Sequence, residues 1–287
     1  MKKLLILSGK GGTGKTTASA AFIKFLNCKV FADCDVDAPN LHLVTSLADE
    51  PVKSDYYGSQ KSFIDSSKCI GCGECFEKCR FDAIEEYEGK YKVDEIACEG
   101  CAVCHFVCPV DAVTMKDDIA GELKLYSQDA IFSTAKLKMG RGTSGKLVVE
   151  VKRQLPNDAS EEVAIIDGSP GIGCPVIASI SGVDLVLIVT EPSLSGISDM
   201  ERIIKTANIF QTKTAVCINK YDTCLENAKK IEDYCEEHGI EFVGNIPYDK
   251  NVSIAMNQGK TVADIDCEAT KALFEVFEKT MNLMSAK

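Results

Sequence analysis

The stretch Gly9-Lys10-Gly11-Gly12-Thr13-Gly14-Lys15-Thr16-Thr17 decides the fold. An apolar run, Leu4-Leu5-Ile6-Leu7, precedes it, and Ala18-Ser19-Ala20-Ala21-Phe22-Ile23-Lys24-Phe25-Leu26 follows. The order is strand, tight loop, helix, and the loop carries the pattern G-x-x-x-x-G-K-[ST] in full and in that setting. Its glycines let backbone N–H groups converge on an anion, and the helix N-terminus adds the positive end of its dipole. Gly11, Gly12, Thr13, Gly14, Lys15, Thr16 and Thr17 are therefore the expected phosphate cradle. Lys15 is expected at the β- and γ-phosphates and the Thr16 hydroxyl on Mg²⁺.

Working outward, Lys29–Asp33 reads as a second buried strand, so the first unit is strand–helix–strand with a right-handed crossover. It runs into Asp33-Cys34-Asp35-Val36-Asp37, three acids at alternate positions at a strand's carboxyl end, where open α/β sheets bind ligands. Further on, Val163–Asp167, Asp184–Thr190, Thr214–Asn219 and Glu241–Gly244 read as strands. Residues 146–155, 198–210, 225–238, 251–258 and 268–284 read as helices. Strands alternating with helices predict an α/β fold with a mostly parallel sheet and helices on both faces. Residues 119–137 alternate apolar and polar side chains and are expected to form strands or a hairpin covering the sheet.

Between Ser59 and Lys116 cysteine dominates. Cys69-x2-Cys72-x2-Cys75-x3-Cys79 is repeated as Cys98-x2-Cys101-x2-Cys104-x3-Cys108 at a constant offset of 29 residues (69 to 98, 79 to 108). Each half ends in a matching tail, Phe81-Asp82-Ala83-Ile84 and Val110-Asp111-Ala112-Val113. Thiolates select iron–sulfur, zinc or Cu(I). This spacing is that of bacterial iron–sulfur proteins, in which the fourth cysteine ligates the other cluster. One 4Fe-4S cluster is thus expected on Cys69, Cys72, Cys75 and Cys108, and a second on Cys98, Cys101, Cys104 and Cys79. Zinc is the alternative, but it would use more widely separated C-x2-C pairs. The segment looks like a two-cluster ferredoxin of about 50 residues, with Arg80 standing where the other half has Pro109. The expected division is an ATPase domain of residues 1–58 and 119–287, interrupted by a ferredoxin domain of residues 59–118.

Lys10, just after the first glycine, makes the loop similar to the deviant phosphate loop of the MinD/ParA and nitrogenase iron-protein superfamily. The resemblance covers about residues 1–50 and 140–287. It implies binding and hydrolysis of ATP, with ADP and Mg²⁺ in the same site, and a homodimer in which Lys10 reaches the partner's nucleotide. By the same resemblance Asp35 positions the attacking water, Asp33 stands nearer the Mg²⁺ shell and Asp167 is the Mg²⁺-side acid. Asn219 and the Ile246-Pro247-Tyr248-Asp249 loop flank the base. Strand-end turns and helix caps are the alternative roles for the acids, and plain turns for the two base-side loops. Cys174 lies seven residues after Asp167, a spacing at which the nitrogenase iron protein places a cluster-ligating cysteine. That resemblance implies a third cluster bridging the dimer through Cys174, although Mrp-type carriers use a C-x2-C pair where this chain has Cys-Pro-Val-Ile. A small residue packed in a switch is the alternative. Cys28, Cys34, Cys217, Cys224, Cys235 and Cys267 lack ligand spacing and read as inert thiols.

The chain has 287 residues, 45% apolar content and a net charge of −11, which argues against a nucleic-acid footprint. Its 15 cysteines point to metal rather than disulfides in a reducing, cytoplasmic setting. Met1-Lys2-Lys3 precedes only four apolar residues and is not expected to act as a signal peptide. In the last helix Glu268, Glu275 and Glu278 balance Lys271, Lys279 and Lys287, so it is expected to face the core rather than a membrane. The whole chain resembles the MinD-superfamily ATPases of anaerobes that carry an inserted ferredoxin. The leading expectation is nucleotide-gated electron transfer to a redox acceptor protein. The alternative is an Mrp-type ATPase that carries a metallocluster to an acceptor, and a third reading is a ParA-like scaffold.

Overall fold

The computed structural model describes residues 1–45, 47, 50–156 and 161–285; Lys287 lies outside them. The chain runs β1 (Lys2–Leu7), α1 (Lys15–Leu26), β2 (Val30–Asp33), β3 (Val52–Tyr57) and β4 (Lys61–Ile64). Next come α2 (Glu74–Lys78), β5 (Ile84–Tyr87), β6 (Lys90–Val93), α3 (Val103–Val107) and β7 (Val113–Lys116). Then follow β8 (Ile119–Tyr126), β9 (Ile131–Leu137), α4 (Ser144–Arg153), β10 (Val163–Asp167), α5 (Cys174–Ile180) and β11 (Leu185–Thr190). The chain ends with α6 (Leu194–Ile209), β12 (Lys213–Asn219), α7 (Leu225–His238), β13 (Glu241–Ile246), α8 (Lys250–Asn257) and α9 (Glu268–Ser285).

Nine strands form one sheet in the order β13-β12-β11-β1-β10-β2-β9-β8-β3. All pairings from β13 to β9 are parallel, and only β8 runs against its neighbours. The apolar runs of β1, β10 and β11 are what burial on both faces requires. Side chains alternate across a strand. Leu5 and Leu7 therefore enter the core on one face of the sheet, while Leu4 and Ile6 enter the core on the other. On the second face α9 buries Leu273, Val276 and Phe277 against the sheet, and Phe22 meets Phe277 edge-on at 5.1 Å. Its apolar stripe is core, as its balanced charges predict. Among the described residues no helix is long and apolar enough to cross a membrane.

The hairpin β8–β9 does not cover the sheet; it extends it. β9 pairs in parallel with β2, from Val30↔Ile131 to Asp33↔Thr134. β3 then adds an outer strand that its mixed, largely exposed sequence does not announce.

The cysteine-rich stretch makes two small sheets, β4 with β7 and β5 with β6. The repeat is visible in the backbone. The left-handed residues Gly71, Gly73 and Asp82 recur 29 residues later as Gly100, Ala102 and Asp111, and α2, β4 and β5 recur as α3, β6 and β7. Each two-stranded sheet takes one strand from each half. That exchange brings Cys79 to the cysteines of the second half and Cys108 to those of the first. The pairing of β4 with β7 also brings the entry and exit of this stretch side by side.

Candidate functional site

The phosphate loop leaves the carboxyl end of β1, between β10 and β11, and Lys15 opens α1. Gly14 must be glycine for two reasons. Its φ is +94°, and a Cβ there would lie 2.3 Å from Nδ2 of Asn219. Two cavities meet at this loop and share Gly12, Gly14, Thr17 and Met256. One, of about 640 Å³, is lined by Lys15, Thr16, Asp35, Asp37, Ser169 and Pro170 among others. The other, of about 310 Å³, is lined by Asn219, Pro247, Tyr248, Val252 and Leu273 among others. The first is walled by the loop's lysine and hydroxyls and by two carboxylates, the second by Asn219 and the Pro247-Tyr248 turn.

At the loop's heart is one carboxylate. Asp167 is fully buried and takes the Lys15 ammonium at 2.9 Å, the Ser19 hydroxyl at 2.7 Å and the Thr16 hydroxyl at 2.8 Å. Burial alone would lower the Lys15 pKa, but the Asp167 charge and hydrogen bond outweigh it and hold the ammonium above its usual value. Asp35 is buried at the cavity wall, and burial pushes its carboxyl up against the opposing pull of Lys15.

Asp33 has a different place. Its Oδ1 accepts from the Asp35 amide, and its Oδ2 accepts from the Asn40 and Leu41 amides, all at 3.0 Å. Both oxygens are engaged by backbone and shape the loop that presents Asp35. Burial and the Asp167 charge push its pKa up to about 7. Asn219 is likewise engaged: Nδ2 donates to the Thr13 carbonyl at 2.7 Å and Oδ1 accepts from the Lys220 amide at 3.0 Å. It lines the smaller cavity while bracing the loop from behind.

Lys10 is not extended into solvent. It pairs with Glu191 at 3.4 Å and donates to Ser193 at 3.3 Å. Glu191 also holds Lys220 at 2.6 Å. Sequence reading passed over Glu191 and Ser193. The signal was their place at the carboxyl end of β11, beside β1, where ligand-facing loops gather.

Cys174 is exposed at the first turn of α5, just past the loop that carries Ser169 and Pro170. Cys34 and Cys217 are fully buried, and burial pushes both thiols up to about 12. At pH 8 a maleimide should modify Cys174 in the native protein and leave Cys34 and Cys217 untouched until unfolding, read by peptide mass spectrometry. Labelling of Cys34 at the rate of Cys174 would contradict that burial.

The eight repeat cysteines gather in two sets. Cys69, Cys72, Cys75 and Cys108 line one small cavity, with Tyr91 and Glu74. Cys79, Cys98, Cys101 and Cys104 line another, with Ser62 and Glu99. The apolar cluster around them is small: Ile64, Cys75, Ile84, Cys104 and Val113. A core of that size contributes little stability to about 60 residues by itself. Among the described residues no three His, Cys, Asp or Glu side chains converge as ligands of a single metal ion. A cubane differs from a single ion in taking one thiolate on each of four irons, so its ligands stand apart.

Residues 4–262 match the CobQ/CobB/MinD/ParA nucleotide binding domain. The chain belongs to that family. An uncharacterized protein of Methanocaldococcus jannaschii is 32% identical over 280 residues, covering 96% of this chain and 95% of the relative. An uncharacterized ATP-binding protein of the same organism is 25% identical, covering 97% and 98%. Among solved structures, the cell division ATPase MinD of Pyrococcus furiosus superposes with a TM-score of 0.59 at 16% identity, covering 98% of this chain and 99% of that one. MinD of Pyrococcus horikoshii, solved with Mg-ADP, superposes with a TM-score of 0.57 at 15% identity, covering 100% and 99%. The parallel sheet and its loop are thus those of the MinD/ParA-type nucleotide-binding fold.

Proposed function

We propose that this MinD/ParA-type protein is an ATPase whose nucleotide state gates electron transfer from two 4Fe-4S clusters to a partner protein. Lys15, Thr16 and Asp167 would hold the phosphates and Mg²⁺, as the phosphate-loop chemistry requires. Asp35, buried at the cavity wall, would orient the attacking water. Lys10 would leave Glu191 and reach the nucleotide of a second copy, so the active form is a homodimer. The two four-cysteine sets fit the clusters by donor chemistry and by number. Once bound, such clusters store and pass single electrons. Residues 59–118 then form the electron-carrying domain, and residues 1–58 and 119–287 the ATPase.

The observation that carries this reading is a bridge of side chains between the two. Arg141 donates to the Glu95 carbonyl at 2.7 Å and lies 2.9 Å from Asp118. It sits three residues before α4, and α4 packs along α5, directly after the loop holding Ser169 and Pro170. A loop that feels the γ-phosphate is thereby in mechanical contact with the cysteine-rich domain, the kind of element nucleotide switches use.

The test uses anaerobically reconstituted protein with eight irons per chain, reduced and mixed with cytochrome c as a one-electron protein acceptor. Initial rates are compared with ATP, with ADP and without nucleotide, and mass in solution is read in each state. The expected result is a rate that differs at least severalfold between ATP and ADP, with a doubled mass in ATP. Equal rates in all three states would overturn the gating. Loss of iron to an apo-acceptor during the assay would favour the metallocluster-carrier alternative, for which the exposed Cys174 pair is the available site.

A further inference from the structure

The two cysteine sets are equivalent in sequence but not in surroundings. Strands β4 and β6 correspond under the 29-residue repeat: β4 is Lys61-Ser62-Phe63-Ile64 and β6 is Lys90-Tyr91-Lys92-Val93. The second residue of each strand faces the set drawn mainly from the other half. Ser62 lines the cavity of Cys79, Cys98, Cys101 and Cys104, while Tyr91 lines that of Cys69, Cys72, Cys75 and Cys108.

Two differences follow. Ser62 Oγ lies 3.0 Å from Cys104 Sγ, and both residues are buried. A metal-bound thiolate has no proton, so in the loaded site the serine is the donor. At the matching place in the first set stands the Tyr91 ring, stacked on Phe76 at 5.7 Å. Secondly, Lys61 is buried and its ammonium donates to the carbonyl of Cys98. Its counterpart Lys90 donates to the Ser66 carbonyl at 2.5 Å in an exposed contact.

Arg80, exposed next to Cys79 where the first set has Pro109 after Cys108, adds a second but solvent-screened cation on the same side. Each cavity has one glutamate on its wall, Glu74 or Glu99. The first set has its own donor, since the Ala112 amide bonds Cys108 Sγ at 3.2 Å. One neutral N–H against one neutral O–H nearly cancels, and the buried ammonium decides the sign. One-electron reduction adds a negative charge, which a nearby buried cation and a hydrogen bond to sulfur both favour.

We propose that Lys61 and Ser62 are positioning residues that hold the reduction potential of the Cys79/Cys98/Cys101/Cys104 site above that of its twin. An electron entering the protein therefore rests at the site next to the Glu95–Glu99 turn, the side that Arg141 ties to the nucleotide-binding sheet. This rests on the reading that both sets hold 4Fe-4S clusters.

The test is an anaerobic redox titration with dithionite, followed by electron paramagnetic resonance, on protein whose iron is counted in the same sample. The native protein should reduce in two one-electron steps. Ser62→Ala should lower the higher step alone by a tenfold change in equilibrium constant, about 59 mV for one electron. Ser62→Thr should restore it, and Tyr91→Phe should move neither step. Lys61→Met should shift the higher step further and close the gap; if it does not fold, Lys61→Gln carries the same test, and an unmoved gap in the folded variant overturns the role of Lys61. Eight irons with both steps unmoved in Ser62→Ala, or with only the lower step moved, overturns the proposal while leaving the clusters standing. Failure to take up iron overturns the cluster reading, and this proposal with it.

Discussion

Asp167→Asn should abolish ATP turnover, leaving less than about 1% of it, and should cost about 3 kcal/mol of folding stability. The size follows from burial. Asp167 is fully buried and Lys15 is 6% exposed, with 2.9 Å between their charged atoms. Removing one partner of a buried pair leaves an uncompensated charge, which costs about 3–5 kcal/mol. The low end applies because Asp33 and Asp35 also face Lys15. Asparagine keeps the shape but turns an NH₂ group toward Lys15, Ser19 or Thr16, all of which now donate to the carboxylate. The double variant Lys15→Met/Asp167→Asn should recover most of the lost stability, because pair and desolvation penalty leave together. It should recover no turnover, because it removes Lys15, the proposed phosphate ligand. Denaturant midpoints and phosphate release separate the two outcomes. A single variant as stable as the parent would show that the pair does not hold the loop.

Much of this arrangement is legible before any coordinates. The phosphate loop is local: nine consecutive residues carry its glycines, its lysine and its hydroxyl, and they fold as a unit. The cysteine repeat is legible because its period is constant, and a constant period forces equivalent geometry twice. What escapes is whatever depends on pairing between distant segments. The alternation in 119–137 announces strands, but only the register of Ile131 against Val30 says that they lengthen the sheet instead of lying on it. Asp33 and Asp35 look alike as acids at a strand end. Three backbone amides, from Asp35, Asn40 and Leu41, take up both oxygens of the first, while the second lies at the cavity wall. Glu191 carries no motif; its significance is that it faces Lys10 and Lys220, which arrive from two other loops. The unlike cysteine sites show the same limit, since Ser62 and Tyr91 sit at matching repeat positions but differ in what they can donate.

Arg141→Ala should leave ATP turnover and iron content near the parent values and remove the difference in electron-transfer rate between ATP and ADP. Arg141 is 14% exposed and spans two segments, Glu95 beside the second cysteine set and Asp118 at the exit of the cysteine-rich stretch. The contact with Asp118 is close but not aligned as a hydrogen bond, so its strength is mainly Coulombic. From Arg141 the chain reaches Thr143, a β-branched residue held at φ +73°, a conformation that costs about 1–3 kcal/mol and persists only under outside constraint. The constraint is visible: the Tyr56 hydroxyl bonds both the Thr143 carbonyl, at 3.2 Å, and its side chain, at 3.1 Å. Beyond this joint, α4 grips α5 at both ends. A Cβ on Gly145 would lie 3.2 Å from Cys174, so the helices touch at backbone distance. At the far end the Lys152 ammonium donates to the carbonyls of Ala178, Ser179 and Ser181 at 3.0, 2.6 and 2.5 Å. The two helices must then move as one body, and any displacement of the loop before α5 arrives at Thr143 and Arg141. Contact of this kind is only a route, and coupling is a free energy that must be measured. Arg141→Ala should therefore be compared with Tyr56→Phe, which releases the strained joint while leaving the Arg141 contacts in place. Both should flatten the ATP/ADP rate ratio toward one, the first more completely. If the ratio survives in both, the nucleotide acts on the cysteine-rich domain by another path, and the strain at Thr143 has no part in it.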